Sequence, residues 1–260
     1  ESKIKPQGVY EFTQEYIVRI INTDISPSFV NTYSLNFDGV DDYVTIGDDS
    51  IFSFGNGTTD SPFSVSLWAR FNTVSSSIGL MGKDSGGADA EYQLRLGYNN
   101  FRISLIDNVT GGSITKSLDQ AFSTGIWYHL VCTYNGSGSN TGLKIYQNAS
   151  IPAQTNGTAG TYVAMSDTAA DLTMGVTDGA TFMDGNLDEV TMFDIELSAA
   201  QVLAIYNLGT PKSEASHTGL IGWWRNGDSG AYPVINDNST NNNPGTMTNM
   251  VSSDIENLIP

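Results

Sequence analysis

Two consecutive tryptophans are the residues of this sequence best suited to contact a sugar. Trp223 and Trp224 follow one another in a β-prone segment, and side chains alternate between the two faces of an extended chain. One of the two indoles must therefore face away from the core. That ring could form a platform for the apolar face of a pyranose, contact a partner, or cover the edge of the fold, and the last of these is the default interpretation.

An acidic loop from Lys83 to Glu91 is a second candidate ligand-binding element. It joins two predicted strands, and its short polar side chains include Asp84 and Asp89, which could contact a sugar or an ion. Tyr92 directly follows the loop and is a further candidate. An ordinary solvated hairpin explains the same composition.

The sequence argues against catalysis. A glycosidase with a β-sandwich fold needs two or three carboxylates on alternate positions of one strand, all projecting into the cleft. Asp194 and Glu196 have that spacing, but they fall at the end of a predicted strand, just before a helix. His129 lies within a strand, and His217 has no serine or thiol partner nearby in the sequence. We therefore predict a protein that is not an enzyme.

The charge balance excludes several partners. The 260 residues include 28 acidic and 11 basic side chains, which gives a net charge of −17. A nucleic-acid-binding surface needs clustered Lys and Arg, so nucleic acid and anionic membranes are not expected partners. No apolar run is long enough to span a bilayer, and no membrane insertion is predicted. The chain begins with Glu1, which indicates processing or an incomplete N-terminus, and the single Cys132 is expected in the core.

The periodicity of the apolar residues predicts an all-β fold. Apolar and polar residues alternate over Phe63–Phe71, as expected for a strand with one face in a core. The one clear helix signal ends at Tyr206, where Ser198 is the expected N-cap and Gln201 completes a capping box. An antiparallel two-sheet sandwich with one short helix follows. The other predicted strands are Tyr33–Asp38, Tyr43–Gly47, Gly79–Lys83, Glu91–Gly97, Phe101–Ile106, Ile126–Tyr134, Leu143–Gln147, Asp171–Val176 and Asn186–Phe193.

Several segments in order resemble the laminin-G-like, concanavalin A-like jelly rolls. They are Tyr33–Val44, Phe63–Trp68, Trp127–Val131, Leu143–Tyr146, Gly185–Val190 and Leu197–Tyr206. The resemblance implies a jelly roll over residues 31–210. Residues 211–260 resemble a Trp-containing strand and loop flank that packs on the sandwich. Residues 1–30 are interpreted as an N-terminal arm or edge strand, which contains the β-prone segment Tyr16–Ile21.

The resemblance also implies a structural cation. Similar modules often hold Ca²⁺ at the positions where this sequence has Asp38 and Asp188, on the first and last strands of the jelly roll, with the Gly39 turn presenting backbone carbonyls. Calcium prefers such hard oxygen ligands. In the alternative interpretation, Asp38 only makes turn hydrogen bonds and Asp188 caps a loop.

The combination of segments looks most like modules in structural proteins of marine bacterial viruses. The leading hypothesis is a non-enzymatic display or structural module of a virion or extracellular assembly. Its partners would be other assembly subunits or further copies of itself, with binding of host or environmental glycans left open. A secreted bacterial carbohydrate-binding module of an enzyme or adhesin is the alternative. Both hypotheses place the protein on a virion surface or outside the cell.

Overall fold

Strand β3 (Phe63–Phe71) shows how the alternation of side chains builds the sandwich. Val65 and Leu67 face the other sheet and are inaccessible to solvent. Ser66 and Trp68 lie on the opposite face of the same strand, and they are buried as well. Both faces of this sheet are therefore covered, one by the second sheet and the other by additional parts of the chain.

The computed structural model of the protein describes residues 29–87 and 89–260, of which Asn31–Pro260 form one compact unit. This unit is a sandwich of two antiparallel sheets, which confirms the fold class expected from the sequence. The predicted strand at residues 16–21 lies outside the described residues.

Within the described residues, sheet A has seven strands. Their order is β18-β1-β14-β3-β8-β9, and β15 pairs with the second half of β14, beyond the end of β1. The strands other than β3 are β1 (Ser34–Asp38), β8 (Trp127–Tyr134), β9 (Leu143–Gln147), β14 (Asp184–Phe193), β15 (Leu220–Trp224) and β18 (Ile255–Glu256).

Sheet B has nine strands in the order β10-β7-β6-β5-β4-β11-β2-β17-β16. They are β2 (Tyr43–Gly47), β4 (Ser77–Asp84), β5 (Ala90–Gly97), β6 (Asn100–Asp107), β7 (Gly112–Leu118), β10 (Gln154–Ala159), β11 (Leu172–Met174), β16 (Val234–Ile235) and β17 (Gly245–Thr248). Its inner face meets sheet A across one continuous apolar core.

Helix α1 (Ala199–Tyr206) is the single α-helix of the described residues, and its bounds agree with the sequence prediction. Ser198 Oγ accepts a hydrogen bond from the backbone N–H of Gln201, which forms the predicted capping box. Val202 and Ile205 pack against Val131 on the outer face of sheet A. This helix supplies part of the second covering layer of sheet A.

A short hairpin lies on the outer face of sheet B. It consists of β12 (Val176–Thr177) and β13 (Thr181–Phe182), and it packs against β4. Gly79 permits this approach, because a Cβ there would lie 2.4 Å from the carbonyl oxygen of Thr181 and 2.5 Å from the backbone nitrogen of Thr177. The hairpin forms one wall of the cleft described below.

Residues 211–260 contribute strands to both sheets. In sheet A, β15 pairs with β14, and β18 pairs with β1. In sheet B, β17 pairs with β2 on one side and with β16 on the other. The C-terminal segment is therefore an integral part of the sandwich.

Candidate functional site

A cleft of about 290 Å³ opens on the outer face of sheet B, between β2, β11 and the β12–β13 hairpin. Val44 points into the core, so its neighbours Tyr43 and Thr45 project outward to the cleft. The lining residues are Tyr43, Thr45, Asp84, Ser85, Ala169, Ala170, Asp171, Thr173, Val176, Gly179 and Phe182.

Two aromatic rings form the apolar part of the cleft. The ring centroids of Tyr43 and Phe182 are 6.5 Å apart with an interplanar angle of 44°, and both side chains are half-buried. Such a pair offers an apolar surface that a sugar ring can contact, and the phenol of Tyr43 can also exchange hydrogen bonds.

Asp84 is the polar group best placed to bind a ligand in this cleft. Its Oδ1 accepts a hydrogen bond from the backbone N–H of Gly86 at 2.9 Å. Its Oδ2 is buried and makes no well-aligned hydrogen bond within the described chain, although the backbone N–H of Asp178 lies close enough to lower the pKa of the carboxyl. Burial raises the pKa of this carboxyl, and the nearby Asp178 carboxylate adds to that effect. An acceptor without a well-aligned hydrogen bond, next to an apolar wall, is a typical anchor for a sugar hydroxyl.

An arginine fixes the hairpin that borders the cleft. Arg95 on β5 donates from Nη2 to Asp178 Oδ2 at 2.8 Å and to Thr181 Oγ1 at 2.5 Å. Both acceptors belong to the hairpin, so Arg95 attaches it to the outer face of sheet B.

The other two candidates near the acidic loop do not line the cleft. Asp89 is exposed, and its carbonyl oxygen accepts a hydrogen bond from the backbone N–H of Ser85. Tyr92 is fully buried, and its hydroxyl donates to the carbonyl oxygen of Phe52 at 2.9 Å. The expectation that Tyr92 contacts a ligand is wrong, because alternation along β5 turns its ring into the core.

Neither tryptophan of the 223–224 pair is available as a platform. Trp224 is completely buried against Phe52, with ring centroids 5.8 Å apart, and its Nε1 donates to the carbonyl oxygen of Asn243. Trp223 lies on the outer face of sheet A, as the alternation requires, yet it is only 5% exposed. Its Nε1 donates to Glu189 Oε2 at 2.6 Å. The platform prediction is wrong because further parts of the chain cover that face.

Asp38 and Asp188 do not form a common cation site. Asp38 pairs with Asp184 across β1 and β14, and Leu35 pairs with Leu187. Asp188 is thus displaced from Asp38 by four residues, which is about 13 Å along the strands. Asp38 is exposed whereas Asp188 is fully buried. The predicted pairing of these two carboxylates is wrong, because the register brings Asp38 opposite Asp184.

Asp38 instead lies beside Asp41 and Asp42, in the turn that contains Gly39. One oxygen from each of these three carboxylates lies within 4.8 Å of the other two. Asp38 Oδ1 accepts hydrogen bonds from the backbone N–H groups of Val40 and Asp41. Burial raises the pKa of Asp42 to about 6, with further contributions from neighbouring carboxylates. Calcium binding stays a prediction, and this turn is where it can be tested.

Asp188 and Glu189 are held in the interior by a β-bulge. Glu189 has a φ of 44°, and the pairing with β3 shifts by one residue there. Asp188 Oδ2 accepts from Asn31 Nδ2 at 2.7 Å, and Glu189 Oε1 accepts from Arg225 Nε at 3.0 Å. Burial raises the pKa of Glu189 to about 7 despite Arg225, and it raises the pKa of Asp188 well above its usual value.

Another buried acid, Glu214, lies beside His217. Glu214 is 4% exposed, and burial raises its pKa to about 8. His217 Nε2 lies 2.9 Å from Glu214 Oε2, although the contact lacks hydrogen-bond alignment. Burial, followed by the charge of Lys212, lowers the pKa of His217. Both side chains are therefore expected to be uncharged at neutral pH.

The structure contains a serine–histidine pair that is closed to substrates. Ser66 Oγ and His129 Nε2 are 2.9 Å apart, and both residues are 1% exposed. Burial lowers the pKa of His129 to about 3, and its ring packs beside the rings of Trp68 and Tyr206. This neutral histidine is a packed core residue and cannot meet a substrate.

Sequence reasoning identified Asp84 but missed the aromatic pair of the cleft. The signal for Tyr43 was present, because Val44 between two less apolar residues indicates a strand with Tyr43 on the outer face. Phe182 gave no comparable signal, since its position depends on how the β12–β13 hairpin packs on β4. The two residues are far apart in sequence, and only the tertiary structure brings them together.

The sequence places the chain in a known family. Residues 38–203 match a laminin G family described as "Concanavalin A-like lectin/glucanases superfamily". Because the match covers more than half of the chain, this protein belongs to that superfamily. No curated protein sequence matches the chain.

Solved structures with the same fold share little sequence with this protein. A provisionally assigned carbohydrate binding protein from Bacteroides ovatus is 18% identical with a TM-score of 0.59, and the match covers 88% of this chain and 61% of that protein. The sialyllactose-bound carbohydrate-binding module of a Ruminococcus gnavus sialidase is 11% identical with a TM-score of 0.49, covering 68% of this chain and 98% of the module. The heptameric pentraxin of Limulus polyphemus is 13% identical with a TM-score of 0.48, covering 74% and 89%. At these identities the likeness establishes the fold alone, and this chain spans less than two thirds of the Bacteroides protein.

Among the described residues, α1 is too short to cross a bilayer, and no other helix is long and apolar enough to do so.

Proposed function

We propose that this protein is a non-enzymatic carbohydrate-binding module whose cleft on the outer face of sheet B holds a sugar unit. The observation that carries the proposal is Asp84 Oδ2, a buried acceptor without a well-aligned hydrogen bond in the described chain, in the same cleft as the aromatic pair Tyr43 and Phe182. A carboxylate that accepts from sugar hydroxyls and an apolar wall for the ring are the two elements that pyranose recognition needs. The cleft volume is near the lower end for ligand sites, which suits a short saccharide.

The superfamily description includes both lectins and glucanases, so the choice between binding and hydrolysis depends on the site. Hydrolysis needs an acid and a second carboxylate facing each other across the scissile bond. Glu196, one of the spaced carboxylates noted in the sequence, is engaged by Lys144 at 2.6 Å. The Ser66–His129 pair is sealed in the interior. These observations support binding without catalysis.

Glycan-array screening followed by calorimetry tests this function. We expect the wild type to bind a subset of glycans and Asp84→Asn to weaken that binding by about tenfold or more, since a hydrogen bond to a charged group contributes roughly 1.5–3 kcal/mol. Tyr43→Ala should weaken binding of the same glycans through the lost ring contact. Asp89→Asn is the matched control in the same loop and should bind like the wild type. Absence of glycan binding by the wild type, or unchanged affinity in both cleft variants, would contradict the proposal.

For the biological setting, we propose display on a virion or another extracellular assembly, with a secreted bacterial binding module as the alternative. The net charge of −17 supports display, because strong like charge keeps crowded copies soluble. Antibody labelling of intact particles from the source tests this setting. Labelling of soluble enzyme or adhesin fractions alone would favour the alternative.

A further inference from the structure

Two arginines lie side by side on the outer face of sheet B. Arg95 on β5 and Arg102 on β6 are directly opposite each other in the antiparallel ladder. The neighbours Leu94 and Ile103 are buried in the core, so both arginine side chains leave the sheet on its outer face. Like charges at directly opposed positions destabilise a sheet, and this chain has few basic residues with which to build such a pair.

The two guanidinium groups are not equally neutralised. Arg95 pairs with Asp178 at 2.8 Å and also donates from Nη1 to Gln93 Oε1. Arg102 makes no hydrogen bond or ion pair with any part of the chain that the structure describes, and its Nε is buried without an acceptor. Burial and the charge of Arg95 lower the pKa of Arg102, although the group remains a cation at neutral pH. Arg102 therefore has no anionic partner within the described residues.

Several hydroxyl-bearing residues occupy the same face of sheet B as Arg102. Ser117 on β7 is directly opposite Arg102, and Ser104 is opposite Thr115 in the same pair of strands. These residues occupy positions that alternate with the core residues Ile114 and Leu118, so they share the outer face with Arg102. A fork of N–H donors next to several hydroxyls matches the oxygens of a carboxylate or a sulfate group.

We propose that Arg102, assisted by Arg95, binds the acidic group of a carboxylated or sulfated sugar residue. This inference rests on the proposed function and specifies its ligand class as an acidic glycan. Asp84 lies two strands from β6 and five residues further along β4 than Gly79, the partner of Arg95, which places Arg102 roughly 19 Å from Asp84. The acidic group therefore occupies a subsite separate from the one at Asp84, and both subsites lie on the same face of sheet B.

Calorimetry with matched glycan pairs tests the ligand class. The pairs are trigalacturonate with its neutral trigalactose counterpart, and 6-sulfated N-acetyllactosamine with the unsulfated disaccharide. We expect the acidic member of at least one pair to bind about tenfold more tightly or better at low salt, because charge-assisted bidentate hydrogen bonds are strong. The advantage should shrink as salt is added. The two pairs distinguish a carboxylate ligand from a sulfate ligand.

Two variants assign the advantage to Arg102. Arg102→Gln should abolish the preference for the acidic member while leaving the affinity for the neutral member unchanged. Arg70→Gln is the matched control, since Arg70 lies on sheet A and donates to the amide oxygens of Asn72 and Asn186. Thermal unfolding of each variant checks that it is folded. Equal affinity for acidic and neutral members, or an unchanged preference in Arg102→Gln, would overturn the inference.

A direct readout separates this inference from the proposed function. In NMR spectra of the wild type, titration with sodium sulfate should shift the ¹⁵Nε resonance of Arg102. This resonance is assigned by comparison with Arg102→Gln, whose spectrum lacks it. If neutral glycans bind through Asp84 but neither sulfate nor acidic glycans affect Arg102, the function stands and this inference fails. If Arg102 responds to sulfate and acidic sugars while Asp84→Asn has no effect on any glycan, the cleft assignment fails and the inference stands.

Discussion

Replacing Glu214 with glutamine should make the protein more stable in neutral and weakly basic solution. The free carboxyl group has a pKa of 4.5, and burial raises the pKa of Glu214 to about 8 in the folded protein. The folded state therefore retains a proton that the unfolded chain releases. The contribution of Glu214 to stability is complete below pH 4.5 and declines as the pH rises toward 8. Each pH unit in that interval costs about 1.4 kcal/mol, so the total approaches about 5 kcal/mol.

Glutamine keeps the shape of the protonated acid but cannot ionise, so Glu214→Gln removes this pH dependence. Urea unfolding followed by tryptophan fluorescence at pH 4.5, 6, 7 and 8 measures the effect. We expect the variant and the wild type to have similar free energies of unfolding at pH 4.5. At pH 8 the variant should be the more stable protein by several kcal/mol. Glu189, with a pKa raised to about 7, should leave a residual slope of the same sign in both proteins.

Glu196→Gln is the matched control for this experiment. This substitution also removes one carboxyl group, but Glu196 forms a partly exposed ion pair with Lys144. Such pairs contribute about 0–1 kcal/mol to the free energy of unfolding. The control should therefore show a small effect with little dependence on pH. If the difference between Glu214→Gln and the wild type is the same at pH 4.5 and pH 8, the carboxyl is ionised in the folded protein and the reasoning is refuted.

Two further predictions concern residues that the sequence linked to function. Trp224→Ala should lower the free energy of unfolding by about 3–5 kcal/mol, because it empties a fully buried site against Phe52. Urea unfolding measures this loss of stability. Trp127 is half-buried, so Trp127→Ala should lower the free energy of unfolding by less. A small loss in Trp224→Ala would contradict the place of Trp224 in the core. Calcium should raise the melting temperature at pH 7.5, adding about 2.7 kcal/mol at 100 times its dissociation constant. The calcium-dependent rise in melting temperature should be smaller at pH 5, because Asp42, with its pKa of about 6, is protonated there. The rise should be absent in Asp41→Asn. A melting temperature unaffected by calcium at pH 7.5 would exclude the site.

Strong periodicity made the central elements predictable from the sequence. Strand β3 and helix α1 have the predicted bounds, because alternation in one and a capping box in the other are local signals. Strand β7 was missed because Lys116 occupies an inward position and interrupts the pattern between Ile114 and Leu118. Strand β10 was missed because its six residues are polar or small and largely exposed, so no apolar face identifies it.

The candidate site was less predictable, because it depends on what covers each face. The reasoning that one of two adjacent tryptophans faces outward is correct for Trp223, but the sequence did not reveal that Glu189 and Arg225 contact it there. The predicted pairing of Asp38 with Asp188 failed because the register between β1 and β14, which places Asp38 opposite Asp184, is not encoded in a local sequence pattern. Asp84 was noted from its acidic segment between two predicted strands, but its burial at the end of β4 depends on tertiary packing and had no local signal.

The strands supplied by residues 211–260 have a consequence for the order of folding. Strand β17 pairs with β2, and β18 pairs with β1, so each of these two early strands acquires its second neighbour from a segment about 200 residues further along the sequence. During synthesis, the outer edges of β1 and β2 have no partner strand until residues 245–256 have left the ribosome. Pairings between such distant segments form slowly, and unpaired strand edges favour association with other chains. The nascent protein therefore depends on protection of these two edges during translation, and a ribosome that stalls before residue 245 would release an open sandwich prone to aggregation.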